Sequence, residues 1–266
     1  MRIKQLAFRN SAWNPISETP AFAASQAQLV LAFGERKCLE DLQPYDYLRE
    51  LFPAAEIVIN STSGEIYQNS VHEGTVIVTA IEFDKTLVKT TKIDIENHFQ
   101  SAESGKKIAQ NLLADDLTAI FVISDGGRVN GSELIAALNE HTGDKILISG
   151  GLAGDEARFE KTLVGLNENP KEGKIVGIGF YGTQLTVGHG TMGGWDVFGP
   201  EREVTESEYN VLYKIGEKKA LDLYKEYLGK YADELPGAAL LFPLSMRATA
   251  DAKPIVRTIL SIDETN

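Results

Sequence analysis

The run Gln-Leu-Val-Leu-Ala-Phe at residues 28–33 places apolar side chains at consecutive positions. A short apolar run without polar alternation is typical of a strand that is covered on both faces. A second run of this kind, Glu-Ile-Val-Ile-Asn, occupies residues 56–60. Between the two runs, Tyr45, Leu48 and Phe52 recur at helical spacing. This part of the chain therefore predicts a strand, a helix and a second buried strand, which together form a β-α-β unit.

The same order of elements recurs further along the chain. Residues 118–123 (TAIFVI) predict another buried strand, and Leu134 and Leu138 lie one helical turn apart after it. Residues 145–148 (KILI) predict the next strand, and a further strand is predicted at residues 162–166. The recurrence indicates a second β-α-β unit.

Each β-α-β unit is followed by two strand-like runs, which we interpret as a hairpin. The predicted hairpins pair residues 75–83 with 87–95, and residues 174–181 with 185–190. Residues 28–95 and 118–190 would then be two copies of one unit that runs strand, helix, strand, Ser/Gly-rich turn and hairpin. We therefore predict an α/β fold in which two related β-α-β-plus-hairpin halves form one N-terminal domain.

The character of the sequence changes after Pro200. Residues 217–228 have the pattern of an amphipathic helix that ends at Gly229, and residues 254–263 read as a strand. The sequence stops soon after this strand. We expect an N-terminal domain over residues 1–200 and an incomplete α+β C-terminal domain over residues 201–266.

The composition disfavours several classes of protein. The 266 residues include 26 Lys and Arg against 38 Asp and Glu, giving a formal net charge of −12. This acidity argues against nucleic acid and anionic membranes as partners. A single cysteine, Cys38, excludes an internal disulfide, and the four separated histidines suggest no metal site. The N-terminus has no apolar run of signal-peptide length, so we expect a cytoplasmic protein without membrane insertion.

Two Ser/Gly-rich segments, each following a predicted strand, are the first candidate ligand site. The first comprises Ser61, Thr62, Ser63, Gly64 and Glu65, and the second includes Gly150, Gly151 and Asp155. Ligands of α/β sheets bind beyond the carboxyl ends of strands, and small residues let a ligand approach the backbone. The carboxylates of Glu65 and Asp155 could receive an ammonium group. The alternative is ordinary turn chemistry, with glycines and hydroxyl caps. If the halves are related, both segments should face one cleft.

A third turn, which contains Asp125 and Asn130, joins a predicted strand to a helix. The free N–H groups at a helix N-terminus favour an anion such as a ligand carboxylate. The alternative is a turn in which Asn130 caps the helix.

Four isolated residues complete the set of candidates. His189, in Gly188-His189-Gly190, is either a possible axial ligand of haem or a hydrogen-bonded histidine at a strand end. Trp195 lies at the expected domain junction, either at the rim of a pocket or in a core. Arg257, inside an apolar strand, needs a carboxylate or a bound anion as its partner. Basic neighbours of Cys38 would lower the pKa of its thiol, although a buried or solvent-facing thiol is the alternative.

Several segments together resemble the FIST family of bacterial sensory proteins. The matching stretches are Ser61–Ile66, Gly150–Asp155 with Phe159, Gly194-Trp195 with Phe198–Pro200, Val204–Thr205, Asn210–Tyr213, and Ala220–Tyr224 with Tyr227–Gly229. The resemblance implies an N-terminal FIST domain followed by the beginning of a C-terminal FIST domain. It also implies an intracellular sensor of small ligands, with amino acids as the suggested class.

Three functions compete at this point. The first is a sensor domain that binds an amino acid or a related small polar metabolite and signals to a partner protein. The second follows from the resemblance, because some members are haem-based nitric-oxide sensors that regulate a histidine kinase or a cyclic-di-GMP enzyme. The third is a hydrolase that uses Ser61 or Asp125, but the sequence has no GxSxG or Ser-x-x-Lys motif. We therefore expect a protein that is not an enzyme, with no catalytic residues and no metal.

Overall fold

The structure, a computed structural model, describes residues 1–143, 146–190 and 193–264. The chain divides into two compact units. The first contains Met1–Glu156 and Glu160–His189, and the second contains Ala157–Phe159 and Gly190–Asn266. The division into domains at residues 200 and 201 stays a prediction.

The first unit alternates strands and helices, as the sequence predicts. Its strands are β1 (Arg2–Arg9), β2 (Ala12–Glu18), β3 (Leu29–Glu35), β4 (Glu56–Thr62), β5 (Glu65–Tyr67), β6 (Ser70–His72), β7 (Val76–Glu82), β8 (Leu87–Asp94), β9 (Leu117–Ser124), β10 (Leu147–Leu152), β11 (Val164–Leu166) and β12 (Lys174–Tyr181). Its α-helices are α1 (Arg36–Leu42), α2 (Tyr45–Leu51), α3 (Ser101–Leu112) and α4 (Gly131–Thr142), with 3-10 turns at Ala24–Gln26 and His98–Gln100. The α/β class is confirmed. The predicted strand start at Lys145 lies outside the described residues.

Two large sheets organise the first unit, and their strand orders correspond. The first sheet runs β11-β4-β3-β7-β1-β2, and the second runs β10-β9-β12-β8. Each sheet contains one parallel pair (β3 with β4, β9 with β10), and an antiparallel strand (β7 or β12) lies next to it. The next strand outward is β1 in the first sheet and β8 in the second. The two halves therefore share one topology, in which β8 is the counterpart of β1.

Both predicted hairpins are wrong, and the strand orders explain why. Strand β7 pairs with β1 and β3, whereas β8 pairs with β12 in the other sheet. The connection between β7 and β8 crosses from sheet to sheet, and Phe83 within it packs against Phe180, with 5.9 Å between the ring centroids. Residues 185–190 form no strand, because β12 already has a neighbour on each side. The second half of the repeat thus begins near residue 87 rather than at residue 118.

The core of the first unit has three layers of apolar side chains. One lies between α1, α2 and the first sheet, and includes the fully buried Leu39, Leu48 and Phe52. The middle layer lies between the two sheets, and the third lies between the second sheet, α3 and α4. Full burial of a large apolar side chain stabilises a fold by roughly 1.5–3 kcal/mol. Strand β3 supplies side chains to two layers, because Val30 and Ala32 face the helices while Leu29, Leu31 and Phe33 face the other sheet.

The second unit is smaller and contains short elements. These are β13 (Val204–Glu208), β14 (Val211–Ile215), β15 (Lys218–Lys219), α5 (Ala220–Leu228), β16 (Leu244–Met246) and β17 (Ile255–Arg257), with 3-10 turns at Gly229–Glu234 and Gly237–Leu240. The predicted end of the helix at Gly229 is confirmed, since that residue has a φ of 55°. The predicted strand over residues 254–263 is reduced to β17. Within the described parts of both units, no helix has the length and apolarity needed to cross a bilayer.

Candidate functional site

The two Ser/Gly-rich segments of the sequence meet in the structure. We call residues 61–65, at the end of β4, the first turn, and residues 153–155, after β10, the second turn. The backbone N–H of Gly154 donates to the carbonyl of Ser61 at 3.0 Å. A Cβ on Gly154 would lie 2.3 Å from the Oγ of Ser63, so the contact requires glycine. The two segments therefore lie close together, while the cleft that they were expected to share stays a prediction.

Gly150 and Gly151 lie in strand β10 rather than in a turn. Gly150 has a φ of 153°, and a Cβ there would lie 1.8 Å from the carbonyl oxygen of Val122 on β9. Only glycine fits so close to the neighbouring strand. In the structure, Gly150 therefore allows β10 to pair with β9.

Glu65 is the most unusual carboxylate of the first turn, because it is 1% exposed and hydroxyl groups hold it. Its Oε1 accepts from Thr62 Oγ1 at 2.6 Å, and its Oε2 accepts from Thr75 Oγ1 at 2.7 Å. The Thr75 backbone N–H also donates to Oε2, at 3.3 Å. Burial raises the pKa of Glu65, and the carboxylate of Glu35 adds to the rise, while the bonds from the two threonines oppose it.

A cavity of about 310 Å³ lies against Glu65, between β5 and one face of the first sheet. We call it the hairpin cavity, because the β5–β6 hairpin contributes to its wall. The wall consists of Gln5, Phe33, Thr62, Gly64, Glu65, Ile66, Ile77 and Thr79. Cross-strand neighbours build the sheet side of the wall, since Gln5 lies opposite Thr79 and Phe33 lies opposite Ile77. Three of the predicted site residues therefore share a cavity.

Asp155 in the second turn is also buried, but it is held by a cation. Its Oδ1 accepts from Arg36 Nε at 2.6 Å, and its Oδ2 accepts from the backbone N–H groups of Glu160 and Lys161. Burial by itself would raise the pKa of Asp155, but the bonds from Arg36 and the two amides lower it. Arg36 also contacts the carboxylates of Glu40 and Glu160. Asp155 is thus committed to an ion-pair network.

Ser61 and Ser63 bond to the protein itself. The Oγ of Ser61, which is fully buried, accepts from the backbone N–H of Leu163 at 2.9 Å. The Oγ of Ser63 accepts from the backbone N–H of Glu156 at 3.0 Å. These bonds join the first turn to the segment that contains the second turn. Both serine hydroxyls therefore stabilise the local backbone, as the alternative to a ligand site predicted.

Asp125 and Asn130 organise the loop between β9 and α4. Asp125, at 1% exposure, accepts from the backbone N–H groups of Gly127, Arg128 and Gly173 and from Thr162 Oγ1. Asn130 caps α4, because its Oδ1 accepts from the backbone N–H groups of Ser132 and Glu133, the second and third residues of the helix. These contacts agree with the second of the two interpretations offered for this turn, in which Asn130 caps the helix.

The remaining candidates lie on the surface. His189 is exposed, and its Nδ1 lies 3.3 Å from Ser149 Oγ. Trp195, in the second unit, is 53% exposed. Arg257 is exposed on β17, and its guanidinium donates to the carbonyl of Val256, with no carboxylate contact among the described residues. The predicted carboxylate partner of Arg257 is absent among the described residues, and the alternative of a bound anion stays a prediction. Ile255, two residues earlier, is exposed as well, so the strand has no apolar cover.

Cys38 lies at the start of α1, where its backbone N–H donates to Glu35 Oε2 at 2.9 Å. Burial raises the pKa of the Cys38 thiol, and the carboxylates of Glu35, Glu65 and Asp41 raise it further. The expectation of a lowered pKa is therefore wrong. The basic neighbours are directed elsewhere, as Arg36 shows by its contact with Asp155.

A second cavity, of about 350 Å³, lies beside α1 and the loop that leads into β12. Its wall includes Glu40, Lys161, Lys171 and Glu172, and none of the predicted site residues. Lys161 pairs with Glu40 at 2.6 Å. Among the described residues, no group of three or more His, Cys, Asp or Glu side chains could hold a metal ion.

Sequence reasoning missed five of the eight wall residues of the hairpin cavity and the cation of the second turn. Gln5, Ile77 and Thr79 reach the wall through the pairing of β1 with β7, in which Gln5 and Thr79 lie opposite each other although they are 74 residues apart in sequence. Arg36 had a usable signal, because a charged residue directly after a buried strand lies at the edge where α/β sheets place their sites.

Comparison with known proteins gives one finding. The family model described as the FIST N domain matches residues 28–218, which is most of the chain and includes both turns. Among curated proteins, none matches the sequence.

Proposed function

The chain belongs to the FIST N domain family, whose members are sensory domains of signal transduction, and from this premise we propose that its first unit binds a small polar molecule in the hairpin cavity. The observation that carries the proposal is the buried carboxylate of Glu65 on the wall of that cavity. A volume of about 310 Å³ is at the small end of the range for ligand sites.

The wall has the composition of a ligand site, with apolar surface and a few fixed polar groups. Phe33, Ile66 and Ile77 supply apolar contact, and Glu65 supplies an acceptor for an ammonium group. Oε1 of Glu65 has one described hydrogen bond, so it retains the capacity to accept a second. Amino acids and related small polar metabolites are the proposed class, since all of them can present a cationic amine.

The same carboxylate offers a route for the signal. Glu65 bonds to Thr62 before the hairpin and to Thr75 after it, so it ties together the two ends of the segment that carries β5 and β6. A ligand that draws Oε1 towards itself would weaken the bond to Thr62 and shift the hairpin. Val71, which pairs with Ile66 across the hairpin, is 66% exposed and would present the change to a partner. A cytoplasmic histidine kinase or cyclic-di-GMP enzyme is the proposed kind of partner.

We propose binding rather than catalysis. The Ser61 hydroxyl is fully buried and bonded to the backbone, which leaves it without access to a substrate. The Asp125 carboxylate has donors on both oxygens. Neither group is placed as a nucleophile or a base.

A thermal-shift screen of the twenty amino acids and their related amines tests this proposal. A ligand at 100 times its dissociation constant adds about 2.7 kcal/mol to the free energy of unfolding. We expect at least one compound to stabilise the wild type, and Glu65→Gln to lose that response. Glu172→Gln, on the wall of the second cavity, is the matched control and should keep it. A response lost in Glu172→Gln and kept in Glu65→Gln would contradict the proposal, as would no response at all.

A further inference from the structure

The charge on the wall of the hairpin cavity is negative. Its wall holds the carboxylate of Glu65 and, within the part of the chain that the structure describes, no Lys, Arg or His. Two of its polar side chains bond to each other, since Gln5 Nε2 donates to Thr79 Oγ1 at 3.1 Å. A second carboxylate, that of Glu35, lies close enough to influence Glu65 electrostatically.

Basic groups near this region are engaged away from the wall. Arg9 on β1 donates to the hydroxyl of Tyr67 at 3.2 Å, and Lys4 pairs with Glu18 at 2.7 Å. Neither side chain lies on the wall of the cavity. The cavity therefore has a site for a ligand cation and no matching site for a ligand anion.

We infer, on the basis of the proposed function, that the hairpin cavity selects a protonated primary amine with an apolar body over the amino acid that bears the same side chain. An ammonium group would replace its hydration with a charge-assisted bond to Glu65. The carboxylate of an amino acid would lose its hydration beside Glu65 without gaining a cation, which is unfavourable.

The rest of the wall suits the apolar part of such a ligand. Phe33, Ile66 and Ile77 offer an aromatic ring and two aliphatic side chains. The face of an aromatic ring attracts a cation electrostatically, so Phe33 favours the same charge as Glu65. The net charge of −12 raises the local concentration of cations around the whole protein.

Three matched pairs of compounds test this inference by isothermal titration calorimetry on the full chain. They are leucine with 3-methylbutylamine, valine with 2-methylpropylamine, and phenylalanine with 2-phenylethylamine. In at least one pair we expect the amine to bind about tenfold or more tightly than its amino acid, because only the amino acid brings a carboxylate that loses hydration without gaining a cation. Glu65→Gln should remove this preference, and Glu172→Gln should keep it.

A second variant tests the missing cation directly and does not depend on removing Glu65. Gln5→Arg places a guanidinium on the wall, opposite Thr79. We expect it to bring the affinity for the amino acid to within a few-fold of that for the amine.

An amino acid that binds the wild type as tightly as its amine, or more tightly, would overturn the inference and leave the proposed function standing. So would a set of amines that all fail to bind, whereas the proposed function would fall if the whole screen gave no response or if the response were kept in Glu65→Gln and lost in Glu172→Gln.

Discussion

Glu65 and Asp155 are both buried carboxylates, and their turns touch, yet the groups that hold them differ in charge. Asp155 has the guanidinium of Arg36 at 2.6 Å, whereas Glu65 has the hydroxyls of Thr62 and Thr75. The pKa of Asp155 is lowered and that of Glu65 is raised. The difference teaches that the protein neutralises the charge of Asp155 with a cation of its own, whereas it holds the carboxylate of Glu65 with neutral donors.

Among these substitutions, breaking the ion pair of the second turn should reduce the free energy of unfolding most. Arg36→Met leaves Asp155 buried without a cation, and we expect a loss of about 3–5 kcal/mol in the free energy of unfolding. Lys161→Met is the control, because the Lys161–Glu40 pair is partly exposed and should contribute about 1 kcal/mol or less. Urea unfolding measures both. Equal costs for the two variants would mean that burial does not distinguish the second turn.

Disrupting the contact between the two turns should cause the next largest loss of stability. Gly154→Ala brings a Cβ to 2.3 Å from Ser63 Oγ and 2.9 Å from its backbone N, and should cost about 1–3 kcal/mol. Gly151→Ala is the matched control, because no atom lies within 4 Å of its added Cβ. Thermal unfolding compares the two variants. If Gly154→Ala were as stable as Gly151→Ala, the turns would not be packed against each other.

The pH dependence of stability should separate the two carboxylates by sign. Folding raises the pKa of Glu65, so its contribution is present below the unfolded pKa and is lost as the pH rises through the folded pKa. Folding lowers the pKa of Asp155, so its contribution is present above the unfolded pKa and is lost as the pH falls through the folded pKa.

The measurement is the free energy of unfolding as a function of pH, with Glu65→Gln and Asp155→Asn compared to the wild type. Relative to the wild type, Glu65→Gln should gain stability as the pH rises. As the pH falls, the free energy of unfolding of Asp155→Asn should decrease less than that of the wild type. Changes of the same sign in both variants would remove the contrast between the turns.

The smallest effect is expected at the outer face of the hairpin. Val71 is 66% exposed and pairs with Ile66 across β5 and β6. Val71→Thr should change the free energy of unfolding by about 1 kcal/mol or less, since cross-strand pairs contribute about 0.2–1 kcal/mol. Thermal unfolding checks this. A much larger loss would show that the hairpin supports the fold as strongly as the second turn does.

Local patterns were sufficient for the buried strands and for part of the site. The runs at residues 28–33 and 56–60 became β3 and β4, and Thr62, Gly64 and Glu65 lie on the cavity wall. Strand pairing was not predictable in this way, because β7 finds its partners in β1 and β3 rather than in the next strand along the chain. A continuous apolar run indicates that a strand is buried, but it does not indicate which strand pairs with it or which elements cover it.

Arg257 shows the limit of the same reasoning on the functional side. An arginine inside an apolar run was expected to need a partner, but β17 is three residues long and exposed throughout. Conversely, Arg36 is 3% exposed and has three carboxylate partners, although it lies in a polar stretch of sequence. Burial comes from the tertiary packing of a residue, and local composition predicted it poorly at both positions.

The position of β1 has a consequence for how the protein can be divided. The family match begins at residue 28, whereas β1 spans Arg2–Arg9 and lies between β7 and β2 in the first sheet. A fragment cut at residue 28 would lose both β1 and β2, so β7 would become a bare sheet edge, able to pair with another molecule and to seed aggregation. It would also lose Gln5 and one side of the hairpin cavity. The smallest piece that can be expected to keep the edge of β7 paired and the cavity wall whole therefore begins before the family boundary.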